Sequence, residues 1–333
     1  MHLSKCLFIA AASMAMTGVA FADEPPADPN AGGGAGASAT VGGEASVGPD
    51  GAKMDANAAV AGGVYTAATW PLDFANRPQN AAKGMFEVTP TAGFYRQTNT
   101  TGDSTTDTSI NVAARYGISD KLELLFGFGG TQFQGGVFEH GIILTGLEDG
   151  EEGSNRFKGT LKFGAGLNLV QGKFDAEVKA GLFYDPIFKN SALVAGVDVR
   201  YHVSDKLWIG TPQNRPGLVF GLTNFEFGGM EIPDTKPIRI SIPAAVAFQA
   251  TPALAIQANT RLFDINLNDA AKGGPNGDAV TFFSTDEFGG IPLDFDVVFA
   301  LEHNLDVIGN LNLVDLKNAG DFLVISAGIN YRM

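Results

Sequence analysis

Alternation of apolar and polar side chains is the feature that most constrains this chain. From Gly84 onward the sequence falls into runs of roughly ten to fifteen residues, separated by clusters of Gly, Asn, Asp, Ser and Pro. A period of two places successive side chains on opposite faces of a β-strand. In residues 157–169, for example, the Phe and Leu side chains share one face, whereas Lys158 and Lys162 share the other. The sequence therefore predicts an all-β chain whose strands are apolar on one side only.

Two similar segments mark tight turns between these strands. ARYGISDKLELLFGFG (114–129) and VRYHVSDKLWIG (199–210) both end a strand on an aromatic residue, reverse in a few polar residues and leave on Leu. Weaker versions are FQATPAL (248–254) and LEHNLDV (301–307). The Gln171-Gly172 break also separates two strands that alternate alike, which predicts an antiparallel hairpin.

Two environments produce strands with one apolar face: a soluble β-sandwich and a membrane-spanning β-barrel. The runs are closer to the 9–11 residues of a tilted membrane strand than to the shorter strands of soluble sheets. Short turns alternate with long loops, and aromatic residues stand at strand ends, as at a membrane interface. These residues are Tyr116, Tyr201, Phe248 and Tyr331. Because lipid forbids open sheet edges, the prediction is a closed antiparallel up-and-down transmembrane barrel.

Counting turns predicts about 12 strands, within a range of 10 to 14. One set of strands would start near residues 85, 121, 173, 206, 253 and 305, and the returning set near 108, 156, 191, 237, 290 and 321. The least regular segment is LWIGTPQNRPGLVFGLTNFEFGG, because Pro212 and Pro216 remove ladder donors. It is either one interrupted strand with an excursion or two strands.

The N-terminal part predicts export. Lys5, a short apolar run and the Ala20-Phe21-Ala22 site are typical of a signal peptide, here residues 1–22, which contains the chain's single cysteine, Cys6. Residues 23–75 are acidic and rich in Gly and Ala, and are predicted to be a disordered periplasmic tether to a barrel at 76–333. The Gly-x-Gly-x-x-Ala match at Gly32 follows no strand, so neither a nucleotide cofactor nor a nucleic-acid partner is predicted.

Residues 76–333 resemble the bacterial outer-membrane β-barrel proteins of the porin-like type. The last strand, FLVISAGINYRM, is similar to the terminal signal of that family, although Met333 stands where a terminal Phe is usual. NRPQNAAKGMFEVTP resembles the segment that leads into the first strand of such barrels. The resemblance implies contact with outer-membrane lipid and lipopolysaccharide, and insertion by the barrel-assembly machinery. The implied assembly signal comprises Ile325, Ala327, Ile329, Tyr331 and Met333.

The polar faces of the strands would line the barrel interior. The predicted lumen-lining residues are Glu87, Arg115, Glu123, Lys158, Lys162, Asp175, Glu177, Lys179, Asp198, Arg200, Arg239, Arg261, Asp296, Asp306 and Arg332. Cations and anions are nearly balanced in this set, which predicts weak ion preference. A passive channel for small hydrophilic solutes is the first interpretation. The second is a structural or surface-interaction barrel with a closed, salt-bridged lumen and functional extracellular loops.

Neither a metal site nor an enzyme site is predicted. The acidic loops that contain Glu148, Asp149, Glu151 and Glu152, and Asp269 and Asp278, lack the spacing of a calcium loop. His202 lies two residues before Ser204 but has no carboxylate beside it in the sequence, and His140 follows Glu139 in a predicted loop. A hydrolytic site needs a base beside a nucleophile, so both histidines are interpreted as non-catalytic.

Overall fold

Antiparallel strands form a closed ring in the computed structural model, which describes residues 65–98, 104–128, 161–185, 189–212, 217–227, 230–234, 236, 238–268, 293–313, 316 and 322–333. Short 3-10 helices at Ala67–Thr69 and Phe74–Asn76 precede the first strand. The strands are β1 (Phe86–Thr98), β2 (Ser104–Gly117), β3 (Leu122–Phe128), β4 (Leu161–Val170), β5 (Phe174–Asp185), β6 (Asn190–Ser204), β7 (Leu207–Gly210), β8 (Leu218–Gly221), β9 (Phe225–Phe227), β10 (Met230–Ile232), β11 (Ile238–Thr251), β12 (Leu254–Asn266), β13 (Leu293–Glu302), β14 (Leu305–Leu313) and β15 (Phe322–Arg332). Within these ranges no helix is long and apolar enough to cross a membrane.

The ring closes between the first and last strands of the chain. Neighbouring strands pair in sequence order from β1 to β6 and from β11 to β15, and β15 pairs with β1 through a register that runs from Glu87–Arg332 to Gln97–Phe322. The terminal Met333 extends this seam, because its backbone N–H and C=O both bond to Phe86. Every strand position in the wall therefore pairs with a neighbouring strand on both sides.

One position in the wall is shared by two short strands. Both β7 and β8 pair with β6 on one side and with β11 on the other, so they are two halves of a single strand position. The interruption lies between Gly210 and Leu218, the segment that contains Pro212 and Pro216. With β9 and β10 forming a separate hairpin, the barrel has twelve strand positions. The predicted count of 12 is confirmed, and the irregular segment is one interrupted strand.

The two ends of the barrel differ in their connections. At the short-turn end, turns such as 118–121, 171–173 and 303–304 join the strands. At the opposite end the connections 129–160 and 267–292 are long, but residues 99–103 and 186–189 form short ones. The predicted alternation of short turns and long loops therefore has two exceptions, β1–β2 and β5–β6.

The outer face of the barrel is apolar. Large side chains that point away from the interior are half exposed, among them Phe163 and Ile242 at 51%, and they alternate with buried polar residues along the same strands. The four predicted interface aromatics, Tyr116, Tyr201, Phe248 and Tyr331, are also exposed and lie near the short-turn end. A soluble sandwich would bury these side chains between two sheets, whereas here one sheet closes on itself. The fold is that of an outer-membrane β-barrel, as predicted.

A pair of arginine substitutions on β5 tests whether lipid covers this face. Val178 lies near the middle of the strand and Phe174 at its short-turn end, and both side chains are exposed. In lipid vesicles Val178→Arg should lower the free energy of unfolding by about 2–4 kcal/mol, and Phe174→Arg by about 0–1 kcal/mol, because the cost of a charge depends on depth. Denaturant titration in vesicles measures both. Equal costs at the two positions would contradict a lipid-facing surface.

Candidate functional site

Residues 65–85 lie inside the short-turn end of the barrel, and we call this segment the plug. Its central side chain, Trp70, is completely buried in a cluster with Ala81, Ala82 and Met85. Further along, Ala75 packs into a second cluster with Trp208 of β7 and with alanines of β11. The plug therefore contacts the inner surface of the wall on more than one side. Residues 65–75 had been predicted to belong to the tether.

One ion pair ties the plug to the wall. The Arg77 guanidinium donates from Nη1 and Nη2 to the two carboxylate oxygens of Asp306, at 2.8 Å each, and its Nε donates to the carbonyl of Pro71 at 2.8 Å. Burial lowers the pKa of Arg77 below its ordinary value, although the hydrogen bonds and the negative charge of Asp306 oppose this shift. The guanidinium stays charged at neutral pH because its ordinary pKa is so high. The contact is thus a buried, bidentate ion pair.

Arginines of the wall lie against the aromatic rings of the plug. The guanidinium carbons of Arg115 and Arg332 lie 5.8 Å and 5.6 Å from the ring centre of Trp70. Arg200 is 5.8 Å from the ring of Phe74 and 5.0 Å from that of Trp208. Such cation–π contacts are stronger where water is excluded. Through these contacts, guanidinium groups rather than apolar side chains of the lumen cover the aromatic rings of the plug.

The backbone of the plug is satisfied by side chains of the wall. Ala81 N–H donates to Glu123 Oε2 at 2.7 Å, and Arg115 Nη1 donates to the carbonyl of Gln79 at 2.7 Å. Arg200 Nη1 donates to the carbonyl of Arg77 at 2.9 Å. Buried backbone groups need such partners. Side chains from several strands therefore supply the hydrogen bonds that a sheet would otherwise provide.

The plug joins the wall through a tight approach at its C-terminal end. Gly84 has a φ of +79° and donates its N–H to the carbonyl of Gly117 at 2.7 Å. A Cβ on Gly117 would lie only 1.9 Å from the carbonyl oxygen of Ala82. Glycine is needed at 84 for the backbone conformation and at 117 for the close contact.

Ion pairs connect the predicted lumen-lining residues. Glu87 accepts from Arg115 at 2.5 Å and from Arg332 at 2.6 Å, and Arg332 also bonds to Asp306. This chain of charges crosses the seam between the first and last strands. It also continues to the plug through Asp306 and Arg77.

A second ionic cluster surrounds Lys179. Its Nζ lies 2.9 Å from Asp198, 3.3 Å from Glu177 and 3.8 Å from Glu123. A Cβ on Gly166 would approach Glu177 Oε1 to 2.2 Å, so glycine leaves the space that these carboxylates fill. Three carboxylates thus share one lysine on the β3–β6 side of the lumen.

The structure places most of the predicted lumen residues in the interior. The buried members are Glu87, Glu123, Lys162, Asp175, Glu177, Lys179, Asp198, Arg200, Arg239, Asp306 and Arg332. Arg115, Arg261 and Asp296 are partly buried, and Lys158 lies outside the described residues. Their part in solute passage stays a prediction.

Above the plug the lumen contains a cavity of about 200 Å³. Phe74, Arg77 and Pro78 of the plug form part of its lining, together with the seam residues Glu87 and Arg332. The wall adds the neutral polar side chains of Thr89, Thr91, Gln257, Asn310, Ser326 and Asn330, and the apolar side chains of Leu125 and Ile308. We call the paired ions Arg77, Glu87, Asp306 and Arg332 the floor of this cavity; Lys162 and Asp296 add further charged side chains to its wall.

The structure bears on two kinds of site considered from the sequence, a metal site and a hydrolytic site at a histidine. Among the described residues no group of three or more His, Asp or Glu side chains is arranged to hold a metal ion. His202 does have a carboxylate partner, because its Nε2 lies 2.9 Å from Asp175 Oδ2. That partner lies on β5, so the neighbouring sequence could not reveal it. His140 and the acidic loop residues from Glu148 to Glu152, with Asp269 and Asp278, lie outside the described residues.

The predicted assembly residues lie on the outer face of the last strand. Ile325, Ile329, Tyr331 and Met333 are exposed, and Ala327 is partly exposed. Reading of this strand by an assembly machinery stays a prediction. The signal peptide and the tether up to residue 64 lie outside the described residues.

The plug was the feature that the sequence interpretation missed. Its signal is a change in composition, because residues 64–83 contain no glycine and carry Tyr65, Trp70 and Phe74, whereas the preceding stretch is rich in Gly and Ala. Buried aromatic residues of this kind are typical of packed segments rather than tethers.

Comparison with known proteins finds similar solved structures but no similar sequences. No protein-family model matches the chain, and no curated protein matches it in sequence. The NanC porin aligns with a TM-score of 0.45 and 7% identity over 74% of this chain and all of that one. The KdgM porin, solved in complex with oligogalacturonate, aligns with a TM-score of 0.42 and 7% identity over 73% and 98%. An outer-membrane channel from Pseudomonas putida F1 aligns with a TM-score of 0.39 and 11% identity over 76% and 97%.

Two carboxylate-to-amide substitutions measure the buried ion pairs. Asp306→Asn leaves the buried guanidinium groups of Arg77 and Arg332 without this carboxylate, so it should lower the free energy of unfolding by about 3–5 kcal/mol. Glu226→Gln removes the partner of the exposed Lys189 and should cost about 0–1 kcal/mol. Denaturant titration of the detergent-solubilised protein compares the two. A cost below about 1 kcal/mol at Asp306 would show that these contacts do not hold the seam.

Proposed function

We propose that this chain is a porin-like channel of the bacterial outer membrane through which small hydrophilic solutes diffuse passively. The observation that supports this proposal is a closed barrel that is apolar outside and encloses a cavity of about 200 Å³, whose lining includes charged, hydroxyl and amide groups beside apolar ones. A wall of this kind is compatible with lipid on one side and water on the other.

The outer-membrane location follows from the same distribution of side chains together with the predicted export signal. Exposed apolar residues such as Val197 and Leu182 lie midway along strands, where a water-soluble protein would expose polar groups. The short turns and both ends of the barrel segment lie at one end, which would face the periplasm. The interpretation requires lipid and lipopolysaccharide around the barrel and insertion by the barrel-assembly machinery.

The lumen favours small solutes of low charge. Each of the floor ions Glu87, Arg332 and Asp306 has at least one opposite charge in contact, so little uncompensated field remains to select an ion. Hydroxyl and amide groups such as Thr91, Ser326 and Gln257 offer hydrogen bonds to a neutral solute. A cavity of this size is below the roughly 300–1,000 Å³ of sites for drug-sized ligands, which restricts the solute to a small molecule.

The second candidate is a structural or surface-interaction barrel with a closed lumen and functional extracellular loops. It is favoured by the plug, since Trp70 and Asp306 have no exposed surface. On this proposal the ion pairs stabilise the barrel and serve no passage. We propose no enzymatic activity for either candidate, because the Asp175–His202 pair has no nucleophile in hydrogen-bond contact within the described residues.

Narrowing the cavity tests the channel proposal. Ser326 lines the cavity, whereas its neighbour Ile325 is 41% exposed on the outer face. In planar bilayers the purified protein should give stable conducting steps; Ser326→Trp should shrink them, and Ile325→Trp should leave them unchanged. Swelling of liposomes in small neutral sugars should follow the same order. Full-length protein that is folded and inserted but passes neither ions nor sugars would favour the second candidate.

A further inference from the structure

We propose that the plug, residues 65–85, is the gate of this channel, and that the ion pair between Arg77 and Asp306 holds it closed. The inference rests on the proposed channel function. It deepens that function by assigning the segment that controls passage.

The plug closes the lumen by contacting wall strands on all sides. Its partners are Arg115 on β2, Glu123 on β3, Asn168 on β4, Arg200 on β6, Trp208 on β7, Gln249 on β11, Asp306 on β14 and Arg332 on β15. At this level Trp70, Glu123 and Asp306 have no exposed surface. We infer from this burial that the docked plug blocks the path of a solute at the short-turn end of the barrel.

The contacts that hold the plug are of a kind that water can replace. Among the described residues, backbone-to-backbone contacts of the plug with the wall are confined to Gly117, which Lys83, Gly84 and Met85 contact beside the point where the plug joins β1. All the other contacts are ion pairs, side-chain hydrogen bonds, cation–π contacts and two small apolar clusters. The wall strands, in contrast, are joined by continuous backbone ladders. The plug can therefore leave without opening the barrel.

Three charged residues of the wall that contact the plug keep an opposite charge when the plug leaves. Asp306 loses Arg77 but retains Arg332, and Arg115 retains Glu87. Glu123 loses the Ala81 N–H but remains 3.8 Å from Lys179 and 3.7 Å from Arg115. The charge that changes environment is Arg77 itself, which moves into water. Arg200 is the exception, because it loses the Arg77 carbonyl and the Phe74 ring, keeps its contact with the Trp208 ring and is solvated by the water that replaces the plug. Asp306, Arg115 and Glu123 keep an opposite charge, so these residues avoid the usual large cost of breaking a buried pair.

The chain also has a pivot at the right place. Gly84 adopts a left-handed backbone conformation, and a Cβ there would meet no atom within 4 Å, so space is not the reason for glycine. Hinges absorb backbone rotation at a few residues at the ends of rigid elements. Gly84 is the penultimate residue of the plug, two residues before β1 begins at the short-turn end, and movement about it breaks the Lys83–Gly117 bridge. Rotation there would swing the plug out of the barrel at that end.

A disulfide staple tests the gate in the full-length protein. Ala75 of the plug and Ala247 of β11 belong to one buried cluster, and Cys6, the sequence's single cysteine, lies in the predicted signal peptide. Ala75→Cys combined with Ala247→Cys should abolish conductance when oxidised, and reducing agent should restore it. Disulfide formation is confirmed by mass spectrometry before recording. Equal conductance in the oxidised and reduced forms would overturn the gate while leaving the channel proposal intact.

A matched pair of charge substitutions tests the latch without a disulfide. Arg77→Gln removes the ion pair with Asp306 and should raise the open probability at least about tenfold, the change that 1.4 kcal/mol produces. Lys121→Gln removes the same charge from an exposed position in the short turn 118–121, outside the plug, and should leave the open probability unchanged. If the two variants behave alike, the Arg77–Asp306 pair is not the latch.

Tryptophan fluorescence follows plug movement independently of conductance. The sequence holds two tryptophans, Trp70 and Trp208, and the docked plug leaves them 0% and 1% exposed. Acrylamide quenching should increase in Arg77→Gln, remain at the wild-type level in Lys121→Gln and decrease in the oxidised staple. Increased quenching with no conductance in any variant would overturn the channel function but not the movement of the plug. Unchanged quenching in Arg77→Gln would overturn the latch.

Discussion

The structure depends on one constraint: a sheet that faces lipid must leave no backbone hydrogen-bonding group unpaired. The chain meets it by joining its first and last strands, with Met333 bonded to Phe86 at the end of the seam. Closure also brings Glu87 on β1 beside Arg332 on β15, and Arg332 bonds to Asp306 on the neighbouring strand. The ionic floor of the lumen is therefore assembled by the same pairing that closes the barrel.

The alternation that makes the exterior apolar forces polar residues into a narrow interior. An ion there is costly unless it has a partner, so each charge must be placed against another. Lys179 among three carboxylates and Glu87 between two arginines are two solutions on different sides of the lumen. Space for these groups comes from glycine, as at Gly166. The plug is a third solution, because Arg77 and the backbone groups of the plug pair with polar side chains of the wall at the mouth. Without the plug, water would solvate these side chains.

Much of the barrel could be predicted because its determinants are local. Strand faces follow from alternation, turns from motifs such as YGISDKL, and the interior position of Glu177 or Arg200 from its place in the pattern. The plug could not be predicted in this way. Trp70 and Arg77 are held by residues 45 to 262 positions away in the chain, such as Arg115 and Arg332, and no local period encodes such contacts. The Asp175–His202 contact was missed for the same reason, since only the β5–β6 register brings the two residues together.

The paired charges have a further consequence for selection. On the proposed function, the compensation that lets Arg77 leave Asp306 at low cost also removes fixed charge from the path of a solute. A channel built this way has little means of selecting by charge, since an ion passing the floor meets arginine and carboxylate together. Selection then falls to the dimensions of the cavity above Phe74 and to the time the plug spends away from the mouth. On this proposal, size and gating take the place of the charged ring that an open pore would use.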